Sequence, residues 1–349
     1  MVRKMEEIIK AKAVEGILFF SKENIRYITQ FCGEEAVLYF SKEKKTLFVD
    51  PRYFEQAQTE AKGCEVYLVK EGIKEIGRVL KGWGVKQVGI EAQAVTVATF
   101  WELKKQEFEL HPLVEELEDI RAVKETWEIE QIVEALRLAE GAFLRILELV
   151  KPGISERDLA LEFEYLLKKM GAEDVAFSSI VLTGPRTSLP HGKPTDRKLQ
   201  WGEPLLFDFG AVFKGYCSDQ TRTLLFGPQD PELKKIFSIV KEAQRRAIEA
   251  IRPGVPCSEV DRIAREYLQE AGYGDFFGHG TGHGIGLAVH EAPSLSPRSR
   301  HVLQKGMVVT VEPGVYIPGL GGVRIEDLVL VEENGPRVLS SLAKEVVLS

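Results

Sequence analysis

The sequence predicts an α+β protein of two domains, and three observations support this prediction. The chain has 349 residues, of which 44% are apolar, so it can bury more than one small core. Short β-rich segments alternate with helical ones early in the chain, whereas the later part contains long amphipathic helices in two similar copies. A charged segment, EELEDIRAVKETWEIEQ, lies between the two parts, and we place the boundary near residue 122.

The first domain, residues 1–122, is predicted to be a small α/β domain. Its β-rich segments are GILFF, AVLYF, KTLFVD, CEVYLV and QVGIE. Helical periodicity predicts helices near residues 51–61, 73–83 and 94–105. Alternation of this kind is typical of a sheet covered by helices.

The second domain, residues 123–349, contains an internal repeat. Residues 151–171 and 252–272 share a basic-Pro-Gly turn, a helix start and a terminal glycine at the same distance. Each copy follows an amphipathic helix and precedes apolar strands. Two unrelated helical hairpins could share the turn residues, but the matched order of whole elements favours a duplication.

Composition argues against several classes of protein. The formal charge is −7 and no basic face is apparent, which disfavours nucleic-acid binding. The N-terminus is charged where a signal peptide needs an apolar core, and no apolar run could cross a bilayer. We therefore expect a cytoplasmic protein without a membrane partner. The four cysteines lack CxxC spacing, which disfavours a disulfide framework or a thiolate zinc site.

Four acidic residues occupy matched positions in the two copies. Asp208 and Asp219 lie in FDFGAVFKGYCSDQTRT, and Glu312 and Glu326 lie in VEPGVYIPGLGGVRIEDLVLV. In both segments an acid within an apolar run precedes a loop, and a second acid precedes another apolar run. A buried carboxylate without a partner is costly or becomes protonated, so four of them need an explanation.

Metal ions are the predicted explanation for these acids. If the two copies pack about a pseudo-two-fold axis, the four carboxylates meet, and cations best relieve their repulsion. Ion pairs with Arg222 or Arg324 are the alternative. Such pairs explain a single acid as well as a metal does, but they do not explain four acids at matched positions.

A glycine-rich segment, FGHGTGHGIGLAVHE, holds three of the six histidines: His279, His283 and His290. A carboxylate-rich site with one imidazole suits Mn(II), Co(II) or Fe(II), so we expect one of the three to be a fifth ligand. The interspersed glycines permit close backbone approach and argue against a helix. An HExxH zinc motif is excluded, because no glutamate lies between His279 and His283.

Taken in order, FDFGAVFKGYCSDQTRT, GHGTGHGIGLAVHE, VEPGVYI and GVRIEDLVLV resemble the pita-bread metallopeptidases of peptidase family M24. This family includes aminopeptidase P, prolidase and, more distantly, methionine aminopeptidase. The segments ENIRYITQF and FVDPRY resemble the creatinase-type N-terminal domain of the proline-specific members. The resemblance implies a creatinase-like domain over residues 1–122 and a duplicated pita-bread catalytic domain over residues 123–349.

The resemblance also implies roles for individual residues. The implied ligands of a dinuclear centre are Asp208, Asp219, His283, Glu312 and Glu326. Three further histidines match residues that surround the metals without binding them: His290 near the scissile bond, and His191 and His279 holding the peptide. Arg324 matches an arginine beside the site. Without the resemblance, His191 is a solvated loop residue, His279 caps a turn, and Arg324 is a partner for a ligand carboxylate.

The implied activity is hydrolysis of the Xaa-Pro bond at the N-terminus of peptides that carry proline at the second position. Two divalent ions would activate water, and Glu312 would accept its proton. The implied ions are Mn(II) or Co(II), with Zn(II) and Fe(II) as alternatives, and no other cofactor is expected. The resemblance further implies a homodimer.

Three alternatives remain open from the sequence. Methionine aminopeptidases generally lack the N-terminal domain that this chain carries, which argues against that activity. Preference for dipeptides or for longer peptides is undecided, although VHE favours the prolidase type. A non-catalytic pita-bread module is the alternative of a different class, and such modules characteristically lose the metal ligands.

Overall fold

The structure is a computed structural model, and it describes residues 2–348. Helices and strands are mixed along the whole described range, as the α+β prediction requires. The backbone divides into two compact units between Arg121 and Ala122. Within the described range, no helix is both long enough and apolar enough to cross a membrane.

The N-terminal unit is a six-stranded sheet with helices. Its helices are α1 (Val2–Ala11), α2 (Lys22–Thr29), α3 (Phe54–Glu60), α4 (Ile73–Gly82), α5 (Val97–Lys104) and α6 (Glu115–Glu118). Its strands are β1 (Gly16–Phe19), β2 (Val37–Phe40), β3 (Lys45–Val49), β4 (Glu65–Leu68), β5 (Gln87–Glu91) and β6 (Glu109–Leu113). The strand order is β4-β3-β2-β1-β5-β6, and β2 runs antiparallel to both of its neighbours.

Alternation along β1 explains why this sheet is buried on both faces. Ile17 and Phe19 pack into one apolar cluster, whereas Leu18 packs into the other. The five predicted strands and three predicted helices are confirmed, with slightly shorter bounds. Four elements of this unit were not predicted: α1, α2, β6 and the short helix α6. In β6, the sequence ELHPL contains Pro112 and polar residues, which weaken the strand pattern.

The C-terminal unit contains four long helices: α7 (Thr126–Ile146), α8 (Glu156–Lys169), α9 (Pro231–Ala250) and α10 (Cys257–Glu270). The strands of its first half are β7 (Asp174–Val175), β8 (Ile180–Thr183), β9 (Pro204–Phe209), β10 (Ala211–Phe213), β11 (Tyr216–Cys217) and β12 (Gln220–Phe226). Those that follow α10 are β13 (Gly282–Gly284), β14 (Glu291–Leu295), β15 (Val308–Val311), β16 (Gly314–Ile317), β17 (Gly321–Arg324), β18 (Asp327–Glu332), β19 (Gly335–Val338) and β20 (Val347–Leu348).

Two sheets dominate this unit, one from each half of the repeat. The first has the order β20-β12-β9-β8, and the second has the order β14-β13-β15-β18-β19. Smaller sheets join β11, β10 and β7, and pair β16 with β17. The two large sheets are built around the antiparallel pairs β9–β12 and β15–β18.

The hydrogen bonds of the two halves confirm the repeat. In each basic-Pro-Gly turn the glycine has a φ of 88°, at Gly153 and at Gly254. The N–H of Gly153 donates to Leu199 O and the N–H of Gly254 donates to Leu303 O, both at 2.9 Å. The helices that follow, α8 and α10, each have 14 residues. The two halves therefore share backbone geometry as well as sequence order.

Four phenylalanines determine the direction in which β9 presents its acid. Phe207 and Phe209 of β9 pack on Phe143 of α7 and Phe163 of α8, and all four rings are fully buried. Phe143 stacks on Phe209 with the ring centroids 4.8 Å apart. Side chains alternate along a strand, so Asp208, between the two rings, faces away from this core.

We predict that Phe143→Ala lowers the free energy of unfolding of the C-terminal unit by about 3–5 kcal/mol, because it removes a ring from a fully packed core. Urea denaturation of the metal-free protein measures the change. The matched control is Leu144→Ala, since Leu144 is 54% exposed and its loss should change stability by no more than about 0.5 kcal/mol. Equal effects of the two substitutions would contradict the prediction.

Candidate metal centre

A cavity of about 420 Å³ in the C-terminal unit is lined by all nine of the site residues predicted from the sequence. They are His191, Asp208, Asp219, His279, His283, His290, Glu312, Arg324 and Glu326. The lining also includes apolar side chains, namely Phe177, Ile180, Pro190 and Val289. Residues distant in sequence therefore meet in one place, and the cavity has both polar and apolar lining residues.

The two antiparallel strand pairs deliver the four acids. Asp208 lies in β9 and Asp219 immediately precedes its neighbour β12. In the second half, Glu312 immediately follows β15 and Glu326 immediately precedes its neighbour β18. Each half of the repeat thus supplies two carboxylates from adjacent strands. His283 comes from β13, which pairs with β15.

The centre of the cluster has a geometry suited to a cation. One ligand atom from each of Asp219, His283 and Glu326 lies within 4.8 Å of the others. His283 Nε2 is 3.6 Å from Asp219 Oδ2 and 3.5 Å from Glu312 Oε1. His283 Nδ1 lies 3.1 Å from Gly284 O, a carbonyl that can only accept, so Nδ1 carries the proton. The lone pair of Nε2 therefore faces the carboxylates, as in a metal-binding imidazole.

Burial and mutual repulsion perturb the acids. Burial raises the pKa of Asp219 well above its usual range, and the charge of Glu326 raises it further. Burial likewise raises the pKa of Glu326, with Glu312 as the next cause. Burial raises the pKa of Glu312 to about 7, against the opposing effect of Arg324. Without a cation, these carboxylates cannot all stay ionised.

Two carboxylate oxygens indicate that the cluster fits a cation. Asp208 Oδ1 and Glu326 Oε1 are buried and have no hydrogen-bond partner. A buried, unpaired carboxylate oxygen is strongly unfavourable. Oxygen ligands with one imidazole match the preference of divalent ions such as Mn(II), so the residues present fit a metal centre. Burial lowers the pKa of His283 to about 4, which keeps its imidazole neutral and available as a ligand.

Arg324 and Arg222 together pair with only one of the carboxylate oxygens of this cluster that the structure describes. Arg324 Nη2 donates to Asp208 Oδ2 at 2.5 Å, which leaves Asp208 Oδ1 unpaired. Arg222 pairs instead with Asp327 at 2.7 Å and donates to the backbone carbonyl of Glu326 at 2.6 Å. The ion-pair alternative thus describes how Asp208 is oriented, but it does not neutralise the cluster.

Among the surrounding histidines, His279 differs from the other two. Its Nδ1 donates to Gly280 O, and its Nε2 accepts from Tyr316 Oη, both at 2.8 Å. Arg324 Nη1 in turn donates to Tyr316 Oη at 2.9 Å. Because both ring nitrogens have protein partners, this geometry favours a role in orienting Tyr316 and Arg324 over a direct hydrogen bond to a peptide.

The exposed residues His191 and His290 lie on the cavity wall, where a substrate could reach them. His191 follows Pro190 in the loop between β8 and β9. The ring of His290 packs on His283, with the two centroids 4.1 Å apart. These positions are compatible with the substrate contacts that the family resemblance implies.

Three residues that hold the ligands were not predicted from the sequence. Thr221 donates to Glu326 Oε2 at 2.7 Å and accepts from Arg324 Nε at 3.0 Å. Thr310 accepts from the N–H of His283 at 3.0 Å, and Tyr316 joins Arg324 to His279. A period-2 pattern could have identified both threonines, since each lies two residues from an acid at the end of a strand.

Comparison with known proteins agrees with this geometry. Residues 130–333 match the model of metallopeptidase family M24, and residues 1–123 match the creatinase/prolidase N-terminal domain. The chain is 36% identical to the Xaa-Pro dipeptidase of Pyrococcus horikoshii over 352 aligned positions, covering 99% of this chain and 98% of that protein.

Solved structures show the same architecture along the whole chain. An Xaa-Pro dipeptidase from Bacillus anthracis superposes with a TM-score of 0.95 at 39% identity, covering 100% of this chain and 99% of that one. An X-Pro aminopeptidase from Thermotoga maritima superposes with a TM-score of 0.88 at 36% identity, covering 99% of this chain and 100% of that one. The predicted fold class and family resemblance are therefore confirmed.

We predict that Gly282→Ala weakens binding of Mn(II) by about 10- to 100-fold, because it displaces the supporting shell of a ligand. A Cβ at residue 282 would lie 2.0 Å from the backbone oxygen of Thr310, so β13 and His283 must move. Gly278→Ala is the matched control, since its Cβ would meet nothing within 4 Å. Equilibrium dialysis with metal analysis measures the affinity, and wild-type affinity in Gly282→Ala would refute the prediction.

We also predict that Mn(II) raises the melting temperature of metal-stripped protein. A ligand that binds only the folded state stabilises it by about 2.7 kcal/mol at 100 times its Kd. Asp219→Asn and Glu326→Gln should lose most of this increase, whereas Glu333→Gln, in an exposed ion pair beyond β18, should retain it. Differential scanning calorimetry gives the answer, and an unchanged increase in both site variants would show that the ions bind elsewhere.

Proposed function

Because the chain belongs to metallopeptidase family M24, we propose that it is a metallo-exopeptidase that hydrolyses the Xaa-Pro bond at the N-terminus of peptides. The observation that carries the proposal is the convergence of Asp208, Asp219, His283, Glu312 and Glu326 on one cavity. Relatives that match along nearly their whole length are named Xaa-Pro dipeptidase and X-Pro aminopeptidase, which supports the substrate class.

The five residues would hold two divalent ions, with Mn(II) or Co(II) as the first candidates and Zn(II) or Fe(II) as alternatives. When bound, such ions lower the pKa of water and polarise the carbonyl that it attacks. Glu312 is suited to accept the proton of the attacking water, because its carboxylate lines the cavity with Oε1 3.5 Å from His283 Nε2. It can then pass that proton to the departing nitrogen.

Other groups of the chain would act on the substrate. His290 is positioned at the exposed side of the cluster, where an N–H could donate to the oxygen that becomes negative during attack. Arg324 would orient Asp208, because its Nη2 donates to Asp208 Oδ2. The proline nitrogen before cleavage has no hydrogen, so recognition must use its ring. Phe177, Ile180, Pro190 and Val289 supply an apolar wall for such a ring.

Homodimer formation and cytoplasmic location stay predictions from the sequence. The preference for dipeptides or for longer peptides stays undecided, since relatives named dipeptidase and aminopeptidase both match over nearly their full length. The cavity is about 420 Å³, which would accommodate a short peptide segment.

We predict hydrolysis of Ala-Pro, of Ala-Pro-Ala, or of both, by protein loaded with Mn(II) or Co(II). Met-Ala-Ser should remain intact. The reaction is measured as release of alanine, which chromatography detects, and the assay is repeated with each metal in turn. Cleavage of Met-Ala-Ser would instead favour methionine aminopeptidase activity. A folded, metal-loaded protein that cleaves none of the three peptides would favour the non-catalytic module.

In the same assay, Glu312→Gln and His283→Ala should lower kcat/KM by at least about 100-fold, because one removes the base and the other a ligand. Circular dichroism should show that both variants remain folded. The matched control is Glu249→Gln, which removes a carboxylate from an exposed ion pair on α9 and should retain full activity. Wild-type rates in either site variant would refute the assignment.

A further inference from the structure

Two buried carboxylates that belong to neither the metal cluster nor the cavity lining occupy similar places in the two halves. Glu156, at the start of α8, and Asp261, on α10, are almost completely buried. Each is the partner of a threonine, of an arginine and of a loop that leads into the cavity. Resting on the proposed function, we propose that these two residues and their arginine partners are positioning residues that hold the histidine-bearing loops against the helices.

Glu156 closes the base of the loop that carries His191. Its Oε1 accepts from the N–H of Thr183 at 2.8 Å and from Thr183 Oγ1 at 3.1 Å, at the start of the loop. Its Oε2 accepts from the N–H of Thr195 at 2.9 Å and from Thr195 Oγ1 at 2.8 Å, at the end of the loop. One carboxylate therefore fixes both ends of the segment between Thr183 and Thr195.

Arg186 connects Glu156 to the interior of the same loop. Its Nε donates to both oxygens of Glu156 at 3.1 Å, and its Nη2 donates to Lys193 O at 2.7 Å. Arg324 donates to Pro190 O at 3.3 Å from the side of the cavity. His191 thus lies between two backbone carbonyls, at residues 190 and 193, that arginines hold in place.

Asp261 makes the corresponding contacts with the glycine-rich loop. Its Oδ1 accepts from the N–H and from Oγ1 of Thr281, both at 3.0 Å. Arg265 pairs with Asp261 at 2.9 Å and donates to Phe277 O at 3.0 Å and to His279 O at 2.7 Å. The carbonyl of Thr281 accepts from the N–H of Glu312 at 2.8 Å, which connects this loop to the proposed base.

The two arrangements use different positions of the repeat. By the spacing of Gly153 and Gly254, Asp261 corresponds to Ala160, which lies one helical turn after Glu156 on the same face. The two carboxylates therefore do not descend from the same position of the duplicated sequence. Both halves nevertheless place a carboxylate, a threonine N–H and hydroxyl, and an arginine fork around a loop that carries a cavity histidine.

The chemistry of arginine makes the proposal testable. A lysine would keep the charge beside Glu156 or Asp261, but it lacks the planar fork that reaches a carboxylate and loop carbonyls together. If the arginines only neutralise a buried acid, lysine restores function. If they hold the loops, lysine restores stability but not function.

The experiment uses the metal-loaded full chain with Arg186→Met, Arg186→Lys, Arg265→Met and Arg265→Lys. We expect Arg186→Met to raise KM for Ala-Pro about 10-fold, because it releases the loop that carries the substrate-side residue His191. We expect Arg265→Met to lower kcat by about 10- to 100-fold, because it releases the segment that is hydrogen-bonded to Glu312. Neither lysine variant should recover these losses. Partial unfolding alone would lower kcat without raising KM, so KM distinguishes the two cases for Arg186→Met, and hydrogen exchange distinguishes them for Arg265→Met.

Hydrogen exchange followed by mass spectrometry provides a readout that does not depend on activity. Amide exchange should become about 10-fold faster in residues 183–195 of the Arg186 variants and in residues 277–283 of the Arg265 variants, and should stay unchanged elsewhere. Arg137→Met on α7 and Arg262→Met on α10 are matched controls, because each removes an arginine from an exposed helical ion pair.

Unchanged exchange in these two segments, or full recovery of kcat and KM by lysine, would overturn the proposal. If the wild-type protein cleaves no Xaa-Pro peptide, the proposed function fails, yet the exchange measurement still decides whether the loops are held in this way. The two failures are therefore distinguishable.

Discussion

The repulsion among four carboxylates in one buried cavity is the constraint on which the rest of the molecule depends. Burial and mutual charge raise the pKa values of Asp219, Glu312 and Glu326, and two oxygens of the cluster have no partner. A chain that only needed to fold would place apolar residues there. The arrangement becomes favourable when cations compensate the charge, so the fold and its ions are energetically linked.

Rigid packing keeps these groups together in spite of their repulsion. The aromatic core of Phe143, Phe163, Phe207 and Phe209 fixes β9 and therefore the direction of Asp208. On the other side, Gly282 lies so close to Thr310 that only a residue without a side chain fits between β13 and β15. The metal cluster is thus supported by an apolar core in one half and by close backbone contact in the other.

A second layer of hydrogen bonds orients the groups of the cavity. Arg324 contacts Asp208, Thr221 and Tyr316, and Tyr316 donates to His279. Buried polar networks of this kind are stabilising only when every member is satisfied. The partners of Arg324 explain how an arginine can be buried beside a cationic site, since Asp208 supplies its counter-charge.

The sequence by itself determined the fold class, the repeat and nine of the residues that line the cavity, because matched spacing and motifs that resemble those of a known family are properties of the chain. It could not determine that Arg324 takes one oxygen of Asp208, or that both nitrogens of His279 have protein partners. The bonds of Arg324 with Asp208 and of His279 with Tyr316 join residues separated by 116 and 37 positions, so they depend on tertiary packing. Tyr316, Glu156 and Asp261 were overlooked for the same reason. Their side chains are ordinary in sequence, and tertiary packing alone brings each one to the ligand or loop that it holds.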